Sequence, residues 1–253
     1  MILLFIFILG LAVGSFLNVV IDRLPNNKSI LGRSHCDFCK ETLKPSNLIP
    51  IVSYLIQGGK CQNCRKKLSI QYPIVEMATG LLFVFSWLQF VNLGLETAIL
   101  HLIVVSIFIA MFVTDLKYQI IPDELQVLLF LVSFRLLHLL NNLNLIGYVE
   151  RFSFAFIVMT PLLFLFLVTK GKGLGFADVK LAFLLGFLFG FKLGFLVIYL
   201  AFITGGVIGF YLLLTGKKGR KSKIAFGPFI IVSAFAILYN QSFFSKLIGD
   251  FWM

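Results

Sequence analysis

The first 21 residues carry no charged side chain, and apolar runs of similar length recur along most of the chain. A helix needs about 20 such residues to cross the hydrocarbon of a bilayer. A closed β-barrel is the other structure that satisfies its own backbone in lipid, but its strands alternate in polarity, whereas these runs are continuous. Composition agrees. Charged residues make up 13% of the chain, against roughly 25% in a soluble domain. Thirty Phe residues and a mean hydropathy of +0.99 cannot be hidden in one soluble core of 253 residues. The expected fold is an all-α, polytopic helical membrane protein.

The runs divide the chain into about eight transmembrane helices. Helix one covers residues 1–21, and 22–72 form the one sizeable polar segment. Helix two runs from Pro73 to Val91 and helix three from Thr97 to Thr114. The polar stretch Asp115 to Glu124 leads into helix four, Leu125 to Leu140, and the loop Asn141 to Arg151 into helix five, 152–169. After the loop Lys170 to Ala177, the apolar stretch 178–214 is too long for one ordinary span. It is read as a short helix six (178–191) and a full helix seven (194–214). A basic loop, 215–223, precedes helix eight, 225–247. Three parts follow: 1–21 as a first transmembrane helix, 22–72 as a polar loop, and 73–253 as a membrane bundle.

The net charge of +11 does not point to nucleic acid, because the basic residues flank apolar helices and no base-reading or stacking element accompanies them. Nine of the 22 Lys and Arg lie between Arg23 and Lys67 and five between Lys217 and Lys223. With the N-terminus outside, the segments 22–72, 115–124, 170–177 and 215–223 are cytoplasmic. They hold 17 of the 22 basic residues, which is the positive-inside pattern. The N-terminal run lacks the basic n-region of a cleaved signal and reads as a retained helix.

Cys36-x-x-Cys39 and Cys61-x-x-Cys64, 21 residues apart, have the spacing of a four-cysteine zinc site. Each two-residue gap presents two thiolates from one tight turn, and two turns complete a tetrahedron. Gly58-Gly59 permits the turn before the second pair. Lys40, Lys60, Arg65 and Lys66 favour thiolates. A disulfide does not suit a reducing compartment, and spacing alone does not decide between a purely structural site and one with a further role.

Eleven acids are few enough to sort one by one. Asp22, Asp37, Glu41, Glu96, Glu150 and Asp250 read as solvated. Glu76, Asp123 and Glu124 suit helix N-termini. Asp115 and Asp178 stand apart: each lies at the end of an apolar run, on the same expected face, where ionisable groups are costly and functional by default. Two carboxyl groups brought together share a proton, one acting as base on water and the other as acid toward a carbonyl. Two unrelated helix-end acids would leave the same pattern. If they are a pair, each helix's own dipole favours Asp178, at a helix start, as the resting base and Asp115, at a helix end, as the acid. Lys180 is given no catalytic role.

Four stretches together resemble the prepilin peptidases, or type IV leader peptidases, membrane aspartic peptidases of the Gly-x-Gly-Asp type. They are Gly14-Ser15-Phe16-Leu17-Asn18-Val19-Val20 with Arg23-Leu24-Pro25; Ser34-His35-Cys36 through Cys64 to Gln71-Tyr72-Pro73-Ile74-Val75-Glu76, including Ile49-Pro50-Ile51-Val52-Ser53-Tyr54-Leu55; Asp115 through Ile121-Pro122-Asp123; and Gly175-Phe176-Ala177-Asp178-Val179-Lys180-Leu181. The resemblance implies cleavage of a short basic leader after a glycine, at the cytoplasmic face of the bacterial inner membrane, with Asp115 and Asp178 catalytic. It implies type IV pilin-like and pseudopilin precursors as substrates, serving pili, type II secretion or DNA uptake. It also implies N-methylation of the new N-terminus from S-adenosylmethionine, associated with Glu76 and the zinc loop. No cofactor-binding glycine fingerprint supports that second activity independently.

Ala177 stands where the family's second glycine is expected, and a positive φ there would be strained. Gly171, Gly173 and Gly175 keep the loop adaptable. Two other readings compete. A membrane adaptor with a zinc knuckle gives no reason for the matched Asp segments, and a transporter would place its acids nearer mid-bilayer.

Overall fold

The protein, seen in a computed structural model, is described over residues 1–36, 38–216 and 225–251, the side chains of residues 248, 250 and 251 excepted. Asp37, the basic cluster Lys217 to Lys223 and the Asp250 side chain lie outside the described residues. The described elements are helical: α1 (Ile2–Arg23), α2 (Val52–Ile56), α3 (Gln71–Phe90), α4 (Leu95–Tyr118), α5 (Asp123–Asn141), α6 (Leu145–Thr169), α7 (Phe176–Leu214), α8 (Gly227–Tyr239) and α9 (Gln241–Phe251). They form two compact units, Met1–Ala110 and Met111–Met253.

In the first unit α1 packs along α3, and the approach is set by small residues. A Cβ on Gly10 would stand 2.8 Å from Gly80 Cα, and one on Gly14 would stand 2.7 Å from Glu76 Cα. Lipid gives apolar helices no hydrophobic reason to associate, so close backbone packing supplies the contact instead. The polar segment between these helices holds only the short α2, two 3₁₀ turns and two isolated β-bridges, His35–Thr42 and Lys60–Lys67.

In the second unit α5, α6 and α8 pack on α7. Phe187 and Ala155 are fully buried with Leu137, surrounded by Phe130, Phe152, Phe183 and Tyr148. The stretch expected as helices six and seven is hydrogen-bonded as one element, α7, with a break at Gly190 (φ 79°, ψ −175°). A Cβ on Gly194 would stand only 2.9 Å from Gly186 Cα. Residues eight apart in an unbroken helix are separated by about 12 Å of rise, so the chain turns back on itself at Gly190. Glycine is required there for its φ, and at Gly186 for the close approach of Ala155 on α6, 2.9 Å from a Cβ at that position.

Among the described residues, five helices are by themselves long and apolar enough to cross a bilayer: α1 with the turn after it, α3 with the turn after it, α4, α6 and α7. A sixth is added if α8 and α9, bent by 94° at their junction, make one broken span. This is fewer than the eight expected. Residues 176–214 count once although they turn back, and α5, interrupted by Gln126, Arg135 and His138, does not qualify. The chain is a multi-pass helical membrane protein.

Candidate active site

Asp115 lies in the last turn of α4, which continues past the expected end at Thr114 because no breaker intervenes before Gln119 (φ 55°) and Pro122. Asp178 is the third residue of α7. Its Oδ2 accepts the backbone N–H of Gly175, the residue that caps the helix, at 3.2 Å. The two carboxyl groups are 5% and 7% exposed, and the charge of Asp115 acts on Asp178. The structure therefore brings the two sequence-selected aspartates into electrostatic range of each other. Two buried carboxyl groups so placed can divide one proton between them, which is what acid–base hydrolysis of an amide requires.

Asp115 meets a third element that sequence reasoning missed. Gly227 opens α8, and a Cβ there would stand 2.6 Å from Asp115 Oδ2. The asymmetry expected from each aspartate's own helix is thereby offset, because Asp115 faces the positive end of a second helix while sitting at the negative end of its own. Pro228, at the start of α8, marks a helix N-terminus in the sequence. No sequence signal says which side chain that terminus faces.

The Lys180 ammonium pairs with the Asp123 carboxylate. Asp123 opens α5 and Lys180 lies two residues beyond Asp178, so the pair ties together the starts of α5 and α7. Ala177 sits in the first turn of α7 and is not among the residues of positive φ. Helical φ suits alanine, so the departure from Gly-x-Gly-Asp brings no backbone strain.

The four cysteines gather in the first unit, their sulfur atoms all within 4.8 Å of one another. Two matching turns hold them: Lys40 N–H donates to Cys36 O and Arg65 N–H to Cys61 O, with Lys40 (φ 60°) and Arg65 (φ 58°) both left-handed. The knuckle turns thus enclose the cysteine pairs, and the left-handed residue of each follows its second cysteine. Gly58-Gly59, expected to shape the second knuckle, makes a separate turn against the Tyr54 ring. Cys36 and Cys64 sulfurs are 3.9 Å apart. A tetrahedron with zinc–sulfur bonds of about 2.3 Å has edges of about 3.8 Å. No disulfide joins the four. Backbone amides of Cys64 and then Asn63 pull Cys61 below the ordinary thiol value to about 7. At Cys39 the Glu41 amide acts in the same direction, but desolvation and the neighbouring thiols outweigh it and push that thiol up to about 11. A bound dication would reverse that repulsion.

Glu76 lies in the second turn of α3, not the first, because the helix begins at Gln71. It is 7% exposed, and its Oε2 accepts the Ile51 N–H at 2.7 Å, with the Ser15 hydroxyl also bonded to the carboxylate. Ile51 holds φ 60°, ψ −51°, the centre of a γ-turn that β-branched residues rarely adopt. Glu76 therefore clamps a strained loop onto α3. It also lines a cavity of about 370 Å³ shared with Asp22, Tyr54, Tyr72, Cys36 and Cys61. Asp22, read as solvated, accepts the Tyr72 hydroxyl at 3.2 Å. Asn18 fixes the cavity's other edge, donating to Gly14 O and Tyr72 O, each at 3.2 Å.

Residues 8–90 match the family model of the bacterial peptidase A24 N-terminal domain, and residues 102–210 that of the type IV leader peptidase family. A prepilin leader peptidase/N-methyltransferase from Bacillus subtilis (strain 168) is 34% identical over 247 residues, 95% of each chain. A protein of the same description from Pseudomonas aeruginosa is 31% identical, covering 91% of this chain and 88% of its own. One from Legionella pneumophila is 30% identical, covering 96% and 93%. No solved structure matches the chain.

Proposed function

The chain belongs to the type IV leader peptidase family, and on that premise we propose that it is a prepilin leader peptidase/N-methyltransferase whose two activities are housed in its two units. The observation that carries the peptidase reading is the juxtaposition of buried Asp115 and Asp178 at helix ends. One carboxylate takes a proton from water, and the water oxygen attacks the scissile carbonyl carbon. The other carboxyl group gives its proton to the carbonyl oxygen. Collapse of the tetrahedral intermediate breaks the carbon–nitrogen bond: the proton taken from water passes to the leaving amine, and a hydroxyl proton of the intermediate returns to the other carboxylate as the carbonyl re-forms. The substrates are prepilin-like and pseudopilin precursors with short basic leaders.

Methyl transfer is assigned to the first unit. Bound S-adenosylmethionine would supply an electrophilic methyl group on a sulfonium cation. The cavity beside Glu76 fits such a group in kind: its size is within the range of small-molecule sites, and Asp22, Tyr54, Tyr72 and Glu76 offer carboxylates and aromatic faces to a cation. Cys36, Cys39, Cys61 and Cys64 would hold zinc, whose part is to fold residues 22–72 into the wall of that cavity. Asp115 and Asp178, both in the unit Met111–Met253, supply the peptidase site. The excess of Lys and Arg in segments 22–72, 115–124, 170–177 and 215–223 supports a cytoplasmic placement of both sites, with the N-terminus outside.

The test is direct. Purified protein in lipid nanodiscs is mixed with a prepilin-like substrate and S-adenosylmethionine, and the products are weighed by mass spectrometry. Loss of the leader and one added methyl group are expected. An intact substrate would refute the peptidase assignment, and a cleaved but unmethylated product would refute the second.

A further inference from the structure

We propose that Gly227 is a positioning residue for leader cleavage: its missing side chain lets the first turn of α8 close on the Asp115 carboxyl group and hold it in range of Asp178. This rests on the assignment of Asp115 to the cleavage reaction.

Space is the first ground. A Cβ on Gly227 would stand 2.6 Å from Asp115 Oδ2, 3.1 Å from its Cγ and 2.9 Å from Ile121 Cδ1. Asp115 is 5% exposed and Ile121 3%, so neither has free room to retreat. In a close-packed interior such an overlap is relieved by moving side chains off their positions. Glycine is not needed here for its conformation, since Gly227 is absent from the residues of positive φ. It is needed for the approach.

Hydrogen bonding is the second ground. The amides of a helix's first turn have no partners within the helix. In α8, Pro228 has no amide hydrogen, while Phe229 and Ile230 both donate to Phe226 O, at 3.0 and 3.3 Å. That leaves the Gly227 amide, which approaches the Asp115 carboxyl group. Asp115 Oδ2 itself is buried and without a hydrogen-bond partner among the described residues. One side of the carboxyl group is thus steadied by backbone that cannot swing away.

Gly227→Ala should lower kcat for leader cleavage about 100-fold, the effect of displacing a reacting group by about 1 Å, with KM unchanged. The infrared band of the Asp115 carboxyl group, identified by its loss in Asp115→Asn, should shift in Gly227→Ala. Adding Ile121→Val, which removes Cδ1, should leave the loss in place. In an Asp115→Ala, Ile121→Val background, where both close contacts are gone, Gly227→Ala should no longer lower the melting temperature, a readout that survives even if the single variant is unstable. Wild-type kcat in Gly227→Ala, recovery with Ile121→Val, or an equal melting loss in that background would each overturn the proposal. If Asp115→Asn itself cleaves normally, the dyad assignment falls and this proposal with it. An inactive Asp115→Asn beside a fully active Gly227→Ala refutes the positioning role alone.

Discussion

Asparagine at position 178 would keep an oxygen that can accept the Gly175 amide and lose the carboxylate, whereas alanine would lose both. The two substitutions therefore divide chemistry from folding. An acid or base in the transition state contributes about 10²- to 10⁴-fold, or roughly 3–5 kcal/mol of barrier. Asp178→Asn and Asp178→Ala should both forfeit that amount. The capping hydrogen bond, 3.2 Å from Gly175 N to Asp178 Oδ2, is of a kind whose removal costs about 0.5–2 kcal/mol. For a chain of this size about 1 kcal/mol moves the melting temperature by roughly 2–4 °C, so alanine should melt several degrees lower and asparagine close to wild type. Leader release followed by mass spectrometry, and melting in the same nanodiscs, measure the two effects side by side. Cleavage by Asp178→Asn within tenfold of wild type would refute the catalytic assignment. Equal melting losses in the two variants would refute the capping argument.

Cys36→Ser and Cys61→Ser should each abolish binding of about one zinc per chain; metal analysis showing none in the wild type would defeat the site. Because each thiol must lose its proton to ligate zinc, the metal should be retained at neutral pH and released on acidification, and an acid-resistant zinc would argue against thiolate ligation. Glu76→Ala should retain cleavage and impair methylation, and a fully methylated pilin from the variant would argue against any role for Glu76. Gly14→Leu should press α1 away from Glu76 Cα, 2.7 Å from the new Cβ, at a cost of about 1–3 kcal/mol. Methylation should fall with it, and unchanged melting and methylation would show that the approach of α1 to α3 is not tight.

Apolar run length located every long helix, because lipid imposes one length on all of them. It did not locate helix ends. α4 runs past Asp115 and α3 starts ahead of Pro73, since a helix stops where a breaker or cap stands and not where polarity begins. The turn at Gly190 was legible only as excess length. The cysteine spacing foretold a cluster whose sulfurs do gather, yet the wrong turn was assigned to the glycines, because a left-handed Lys40 or Arg65 leaves no mark in sequence. Asp22 and Glu76 were misplaced for a related reason. Their surroundings, Tyr72 in one case and Ile51 in the other, come from segments brought close only by folding.

The same limit explains why the Asp115 environment could not be anticipated and why it takes the form it does. A carboxylate withdrawn from water loses several kcal/mol of solvation even after relaxation, and a chain solvated by lipid has little bulk water to offer in return. Backbone amides at helix starts are the donors that remain. Asp178 has its own, at the start of α7. Asp115, at the end of α4, has none of its own and is met by the start of α8. A helix terminus in such partly buried geometry stabilises a charge by up to about 2 kcal/mol, and a hydrogen bond to a charged group contributes roughly 1.5–3 more. Together these approach the solvation lost, so either aspartate can carry the negative charge while the other holds the shared proton. Three helix ends, α4, α7 and α8, are what the pair requires. Two of them are written in the sequence beside the aspartates, and the third lies 112 residues from Asp115, counting from 115 to 227.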